Sequence, residues 1–243
     1  MKNSKLLISL LLSCVFLVSL VLPVLAVNYN SGVSTGQFVK YGNFLGSGIG
    51  FEDFNNIDFM KVMVTNVDGN QVTLLSTGQY KNGTAMTGNN TSTVWDVAAG
   101  TQDGLPTTQG TIIAANLNIG DAIPPANTYT VNLTESRTYL GVSRTVNVLS
   151  VGFSTPDYNT SLSYVYDRAS GILLETSVFT SVVSDSGPIV SSYSYSVVET
   201  NIFGVTGPSV PENDLAIVEY ILVFVVVASV VIVLVGVLLR RHK

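Results

Sequence analysis

The chain has 243 residues, 47% of them hydrophobic and only 11% charged, with a formal net charge of −5, one histidine and one cysteine. His242 stands at the C-terminal end and Cys14 in the first apolar run, so the region between offers no Ser-His or Cys-His pair, no histidine-bound metal and no disulfide. Fifteen acids against six bases between Val27 and Asp214, spread without runs, argue against nucleic acid or anionic lipid as a partner of that region.

The first 26 residues carry Lys2 and Lys5, an apolar run from Leu6 to Leu22, the helix breaker Pro23 and then Val24-Leu25-Ala26. This is the pattern of a cleaved secretory signal, with an uncleaved signal anchor as the competing reading. Leu11-Leu12-Ser13-Cys14 is similar to a lipoprotein signal, but a second apolar run follows where a lipoprotein would begin its polar mature chain. With Cys14 removed, the domain that follows must be held by its core alone.

From Gln37 onward the signals are those of antiparallel strands. Gly36–Phe44 reads as a first short strand, and Leu45–Gly50 as a Gly-rich separator. Met60–Val67 and Asn70–Tyr80 flank Asp68-Gly69, a hairpin signal because a primed turn needs the positive φ that these residues tolerate. Asn82-Gly83 opens a polar loop, and Thr91–Ala99 returns as a strand carrying the single Trp. Gly100–Gly110 has no periodicity and is expected to be the least ordered part. The run from Ile112 reads as an apolar strand, followed by a turn at Asn118–Asp121 and a stop at Pro124-Pro125. Strands are then expected over Thr128–Leu140, Ser143–Thr155, Ser161–Asp167, Ile172–Val182 and Ser191–Phe203, with a tight connection at Asp167–Gly171 and a turn near Asp185–Pro188. Leu162, Tyr164 and Tyr166 share one face, and Ser192, Ser194 and Ser196 alternate with Tyr193, Tyr195 and Val197.

The chain ends in the apolar stretch Leu215–Leu239, followed by Arg240-Arg241-His242-Lys243. At 1.5 Å per residue such a helix reaches roughly 37 Å, enough to span a hydrocarbon layer of about 30 Å with some tilt. Its backbone groups, without water, must pair within the segment, which forces a helix despite the many valines. The basic residues after it and Glu212 and Asp214 before it place the C-terminus in the cytoplasm and the preceding domain outside. Glu219, one turn inside and beside Tyr220, can snorkel to the headgroups. Pro211-Glu212, the apolar run and the basic tail also resemble a C-terminal sorting signal that is cut away.

Four stretches, GQFVKYGNF, NLNIGDAIPP, YVYDRASGILLE and ETNIFG, together resemble uncharacterised archaeal single-pass cell-surface β proteins. The resemblance implies a signal peptide, a β ectodomain and a C-terminal membrane helix, and shared fold rather than shared chemistry. The hairpin at Asp167–Gly171 alone is also similar to hairpins of the half-barrel lipoprotein carriers of the bacterial periplasm, whose concave sheet holds acyl chains.

Candidate sites are few. A Ser-Lys pair would have to draw on Lys40, Lys61 or Lys81, and no spacing supports it. Glu52, Asp53 and Asp58, with Asn55 and Asn56, are oxygen donors for a hard cation, but they lack the spacing of a calcium loop. Asp96 beside Trp95 is a candidate half of a glycosidase carboxylate pair, but Trp95 is better suited to the core. Sequons stand at Asn82, Asn89, Asn90, Asn132 and Asn159; the first three fall in a turn and a polar loop, whereas Asn132 lies in an expected strand.

The expected fold is therefore all-β, an antiparallel sandwich or a strongly curved half-barrel-like sheet of about ten strands, plus one C-terminal transmembrane helix. Its division is 1–26 signal peptide, 27–204 extracellular β domain, 205–214 tether, 215–239 transmembrane helix and 240–243 cytoplasmic tail. The expected function is a membrane-anchored, non-enzymatic extracellular binding or envelope-structural protein without cofactor, catalytic or metal site, its partner a surface protein, lipid or glycan. One alternative is a lipid- or glycan-binding module in a concave sheet, with Trp95, Tyr164 and Tyr166 on the ligand face. The other is a carboxylate-dependent surface hydrolase, which needs two acids from distant strands to converge.

Overall fold

The computed structural model describes residues 27, 29–107, 110–125, 129–184 and 187–204. The expected signal peptide, tether, membrane helix and tail lie outside these residues. Among the described residues no helix is long and apolar enough to cross a membrane.

The described domain is all-β. Its strands are β1 (Phe38–Ser47), β2 (Ile57–Asp68), β3 (Gln71–Tyr80), β4 (Thr91–Asp96), β5 (Thr101–Gln102), β6 (Leu105–Pro106), β7 (Ala122–Ile123), β8 (Tyr129–Thr130), β9 (Leu133–Tyr139), β10 (Val142–Thr155), β11 (Tyr158–Asp167), β12 (Leu173–Ser184) and β13 (Gly187–Thr200). Eleven of them form one antiparallel sheet in the order β6-β5-β4-β3-β2-β1-β13-β12-β11-β10-β9, and β7 and β8 form a two-stranded ribbon. Each half of the sheet is a meander of neighbours in sequence, the arrangement short connections favour. The halves are joined by the first and last strands, with Val39 opposite Thr200 and Tyr41 opposite Val197.

The turn chemistry explains the hairpins. Asp68 pairs with Gln71, and Gly69 between them takes φ +58°. Across the Ser192, Ser194 and Ser196 face, Ser177 pairs with Ser194 and Phe179 with Ser192. On the other face Thr176 pairs with Tyr195 and Val178 with Tyr193, so the alternation read in β13 sorts its two faces as expected.

Several boundaries differ from expectation. β1 extends into the Gly-rich stretch as far as Ser47, because Asn55 bonds both the N–H and the C=O of Gly46 and holds that end, and the Glu52–Asn56 stretch winds into a 3-10 turn. Thr91–Ala99 stops as a strand at Asp96, whose Oδ1 accepts the N–H groups of Ala98 and Ala99 and turns the chain. Within Gly100–Gly110, β5 and β6 form a small hairpin about Asp103-Gly104, with residues 108 and 109 outside the described set. Thr128–Leu140 is broken between β8 and β9, where Val131 N–H bonds to Asp121 and Asn132 N–H to Val148.

The largest correction concerns Ile112 to Leu117, which is not a strand. It is an irregular strap, touching the sheet ladder through a single bridge between Ile112 and Ile172. Its backbone groups are met one by one: Ile113 N–H by Gly171, Ala115 N–H by Asn30 and Asn116 N–H by Arg168. Ile112, Ile113, Ala114, Ala115 and Leu117 are all buried, so the apolar run reflects coverage on every side rather than pairing.

The strap also reveals how the sheet bends. Gly110 accepts a hydrogen bond from the Tyr166 hydroxyl of β11 at 2.9 Å, and a Cβ on Gly110 would lie 2.7 Å from Cζ3 of Trp95 in β4. Six strand spacings separate β4 from β11 in the sheet order, about 29 Å if the sheet were flat. One residue touches both only because the sheet rolls inward around the strap. The core lies in this hollow, with Val39, Tyr41, Val62, Val64, Val72, Leu74, Trp95, Tyr166 and Val197 against Ile112, Leu117 and Ile123.

Candidate functional site

The hollow face is uneven in what fills it. The strap covers the end near Trp95 and Tyr166. At the other end Phe51 and Phe54, on the connection between β1 and β2, pack on Tyr193 at ring distances of 4.8 and 4.7 Å, and Phe44 and Tyr41 each lie 5.3 Å from Tyr195. Between these fillings is a pocket of about 200 Å³, half open to solvent. Its floor is Tyr41, Met60, Val62 and Gly78; Leu173 and Tyr195 form one wall, and Met86 and Asn89 the other.

The second wall exists because the loop after β3 folds back on its own strand. Met86 N–H bonds to Gly78 O at 3.0 Å, and Asn89 Oδ1 accepts from Gly78 N–H at 2.8 Å. A side chain at Gly78 would meet Met86 Sδ at 2.7 Å, so the glycine is what lets the methionine seat. No charged head enters from Lys61, although its residue borders the pocket. Lys61 pairs with Lys40 on the far face, and its Nζ lies 4.0 Å over the Phe38 ring.

Tyrosine hydroxyls dominate the polar side of the hollow. Burial pushes Tyr41 well above its ordinary range, and Tyr164 and Tyr166 likewise, with neighbouring tyrosines adding to the rise. Tyr195 is pushed up to about 12 by burial and by Tyr193, and the nearby Thr176 hydroxyl opposes the rise. The Tyr41 hydroxyl donates to Leu173 O at 2.9 Å. Among the described residues the buried Tyr164 hydroxyl has no hydrogen-bond partner, nor has Thr176 Oγ1, which lies near Tyr195 but outside hydrogen-bonding geometry.

For these phenols the linkage has one sign. A folded-state pKa above the unfolded value of about 10 means the fold favours the neutral form, so their contribution is intact below pH 10 and is lost as pH rises toward 12. Unfolding free energy is expected to be flat with respect to these groups up to about pH 10 and to fall above it. Tyrosinate absorbance of the folded protein should lag that of the unfolded chain; coincident titrations would mean that the hollow is open to hydroxide.

The expected site residues are distributed as follows. Trp95 and Tyr166 are buried against the strap, and Trp95 borders a void of about 20 Å³, the room of a single water. Tyr164 is buried two strands from Tyr195, and none of the three lines the larger pocket. Asn82, Asn90, Asn132 and Asn159 are exposed, whereas Asn89 is half-buried and holds Gly78. Asn132 Oδ1 also accepts from Ser150 N–H.

Most of the candidate reactive groups hold the chain together. Glu52 accepts from Gly50 N–H, and Asp53 lies 3.5 Å from Asn56 Nδ2 in the same short turn, while Asp58 is exposed on β2. Lys40 pairs with Glu199 at 3.6 Å, and Lys81 donates to Asn55 O at 2.7 Å. Two carboxylates from distant strands do approach one another, but through an arginine: Arg137 bonds Glu135 at 2.6 Å and Glu175 at 3.3 Å, and the Tyr139 hydroxyl donates to Glu175 at 3.1 Å. The guanidinium stands between the two acids and bonds both, so they do not face each other across an open cleft as a glycosidase pair must.

Sequence reasoning did not find Met60, Met86, Ser76 or Leu173. They stand on three strands and a loop, and only the roll of the sheet brings them together; the one local sign was Gly78, an interruption in an otherwise regular strand pattern. No known protein family matches this chain, and comparisons with the curated proteins and with the solved structures find no match.

Proposed function

We propose that this chain is a non-enzymatic cell-surface protein, anchored by Leu215–Leu239 as a single transmembrane helix, with its β domain outside the cell as a half-barrel. Its kinship, on the strand and turn motifs quoted above, is with archaeal single-pass surface proteins. Its work is binding, or contribution to the envelope, through the hollow of the sheet. The observation that carries this reading is the contrast within the described domain. Glu52, Asp96, Glu135, Glu175, Lys40 and Lys81 are tied into turns, backbone contacts and ion pairs, while the half-open pocket of about 200 Å³ presents thioether, aliphatic, phenol and hydroxyl groups suited to holding a ligand. The exposed sequons Asn82, Asn90 and Asn159 are suited to carry glycans on such a domain.

Fractionation of cells making the full chain tests this. The chain should stay with membranes after alkaline washing, and protease added to intact cells should remove the β domain and leave a short protected C-terminal fragment. Recovery of the whole chain in the soluble fraction, or a domain protected until the cells are broken, would overturn the placement.

A further inference from the structure

We propose that the pocket between β2, β3 and the 81–90 loop binds the hydrocarbon end of an uncharged amphiphile. This deepens the surface-binding reading and rests on it. The first argument is size. A 150 Å³ apolar cavity holds a benzene-sized group, so about 200 Å³ takes roughly seven or eight carbons, less than the 300 Å³ or more of pockets that enclose a whole ligand. With one side open, the pocket receives one end of a longer molecule.

The second argument is the character of the walls. Met60 of β2 pairs with Gly78, against which Met86 of the loop is seated, Val62 and Leu173 also line the pocket, and thioethers adapt to chains that lack a fixed shape. The adjacent charge, Lys61, is held over Phe38 on the opposite face, so among the described residues that line the pocket no cation is offered to an anionic head.

The test uses the full chain in phospholipid nanodiscs and an octyl glucoside carrying a diazirine on its alkyl chain, followed by photolysis and peptide mapping. Label is expected on the peptides containing Met60, Met86 and Leu173. Excess 1-octanol should remove it, glucose should not, and octanoate should compete at least tenfold more weakly than 1-octanol. Met86→Trp and Ser76→Phe, each filling the pocket, should lower that labelling at least fivefold, with thermal melting of each variant confirming that the domain folds. Labelling of 215–239 serves as the internal standard. Label confined to 215–239, pocket labelling unchanged in both folded variants, or glucose competing as well as 1-octanol would overturn the proposal. Cell fractionation reads the anchor separately, so a failed anchor and an empty pocket give different results.

Discussion

Asp167→Ala is expected to destabilise the domain by about 3–5 kcal/mol, the usual loss when one partner of a buried ion pair is removed. Asp167 has no exposed surface. Its Oδ1 lies 2.7 Å from Arg144 Nε and its Oδ2 2.9 Å from Nη2, a bidentate pair, and Oδ2 also accepts from Ser170 N–H at 2.9 Å and Ser170 Oγ at 2.7 Å. The carboxylate thus serves twice, joining β10 to β11 and closing the turn that leads to β12. Without it the Arg144 guanidinium, largely buried and 5.2 Å over the Phe203 ring, keeps its charge and loses its counter-ion. Against a total stability of about 5–15 kcal/mol this is a large fraction. Urea titration should show a lower midpoint at unchanged slope. The double change Arg144→Met with Asp167→Leu should recover part of the loss, since no orphan charge remains. A single-variant loss under about 1 kcal/mol would mean that the pair behaves as an exposed surface bridge.

Gly171→Ala is expected to cost about 2–5 kcal/mol, combining roughly 1–2 for a left-handed backbone with roughly 1–3 for overpacking. Gly171 takes φ +75°, and a Cβ there would lie 2.0 Å from Ile113 O, which is backbone and has no rotamer to yield. Gly69 is the control. It takes φ +58°, but a Cβ would meet nothing within 4 Å, so Gly69→Ala should cost only the backbone part, about 1–2 kcal/mol. The difference between the two urea midpoints measures how tightly the strap is seated on the hairpin. Equal losses would show that the strap is free to move away from Gly171.

The two positions also show what was legible in the sequence. Asp68-Gly69 is readable as a hairpin because positive φ is a local demand and the paired strands lie on either side of it. The turn at Asp167–Gly171 is readable for the same reason, with Gly171 left-handed as expected. Its second constraint, contact with Ile113, is not readable, because 58 residues of chain separate the two and no local preference records the approach. Of the candidate site, Tyr195 could be assigned to the packed face of its strand by alternation, but not to the wall of a pocket opposite Met86.

By itself, then, the sequence determined an all-β, antiparallel domain, most of its hairpins, and the faces of β11 and β13, since alternation and turn residues are properties of neighbouring positions. Only the tertiary structure decided that β1 and β13 join the two meanders, that Ile112 to Leu117 is a strap instead of a strand, and that a pocket remains between the strap and the Phe51–Phe54 cover. The physical reason is the same in each case. A run of apolar residues specifies that it will be buried, whereas the partner that buries it is chosen by how far the whole sheet rolls.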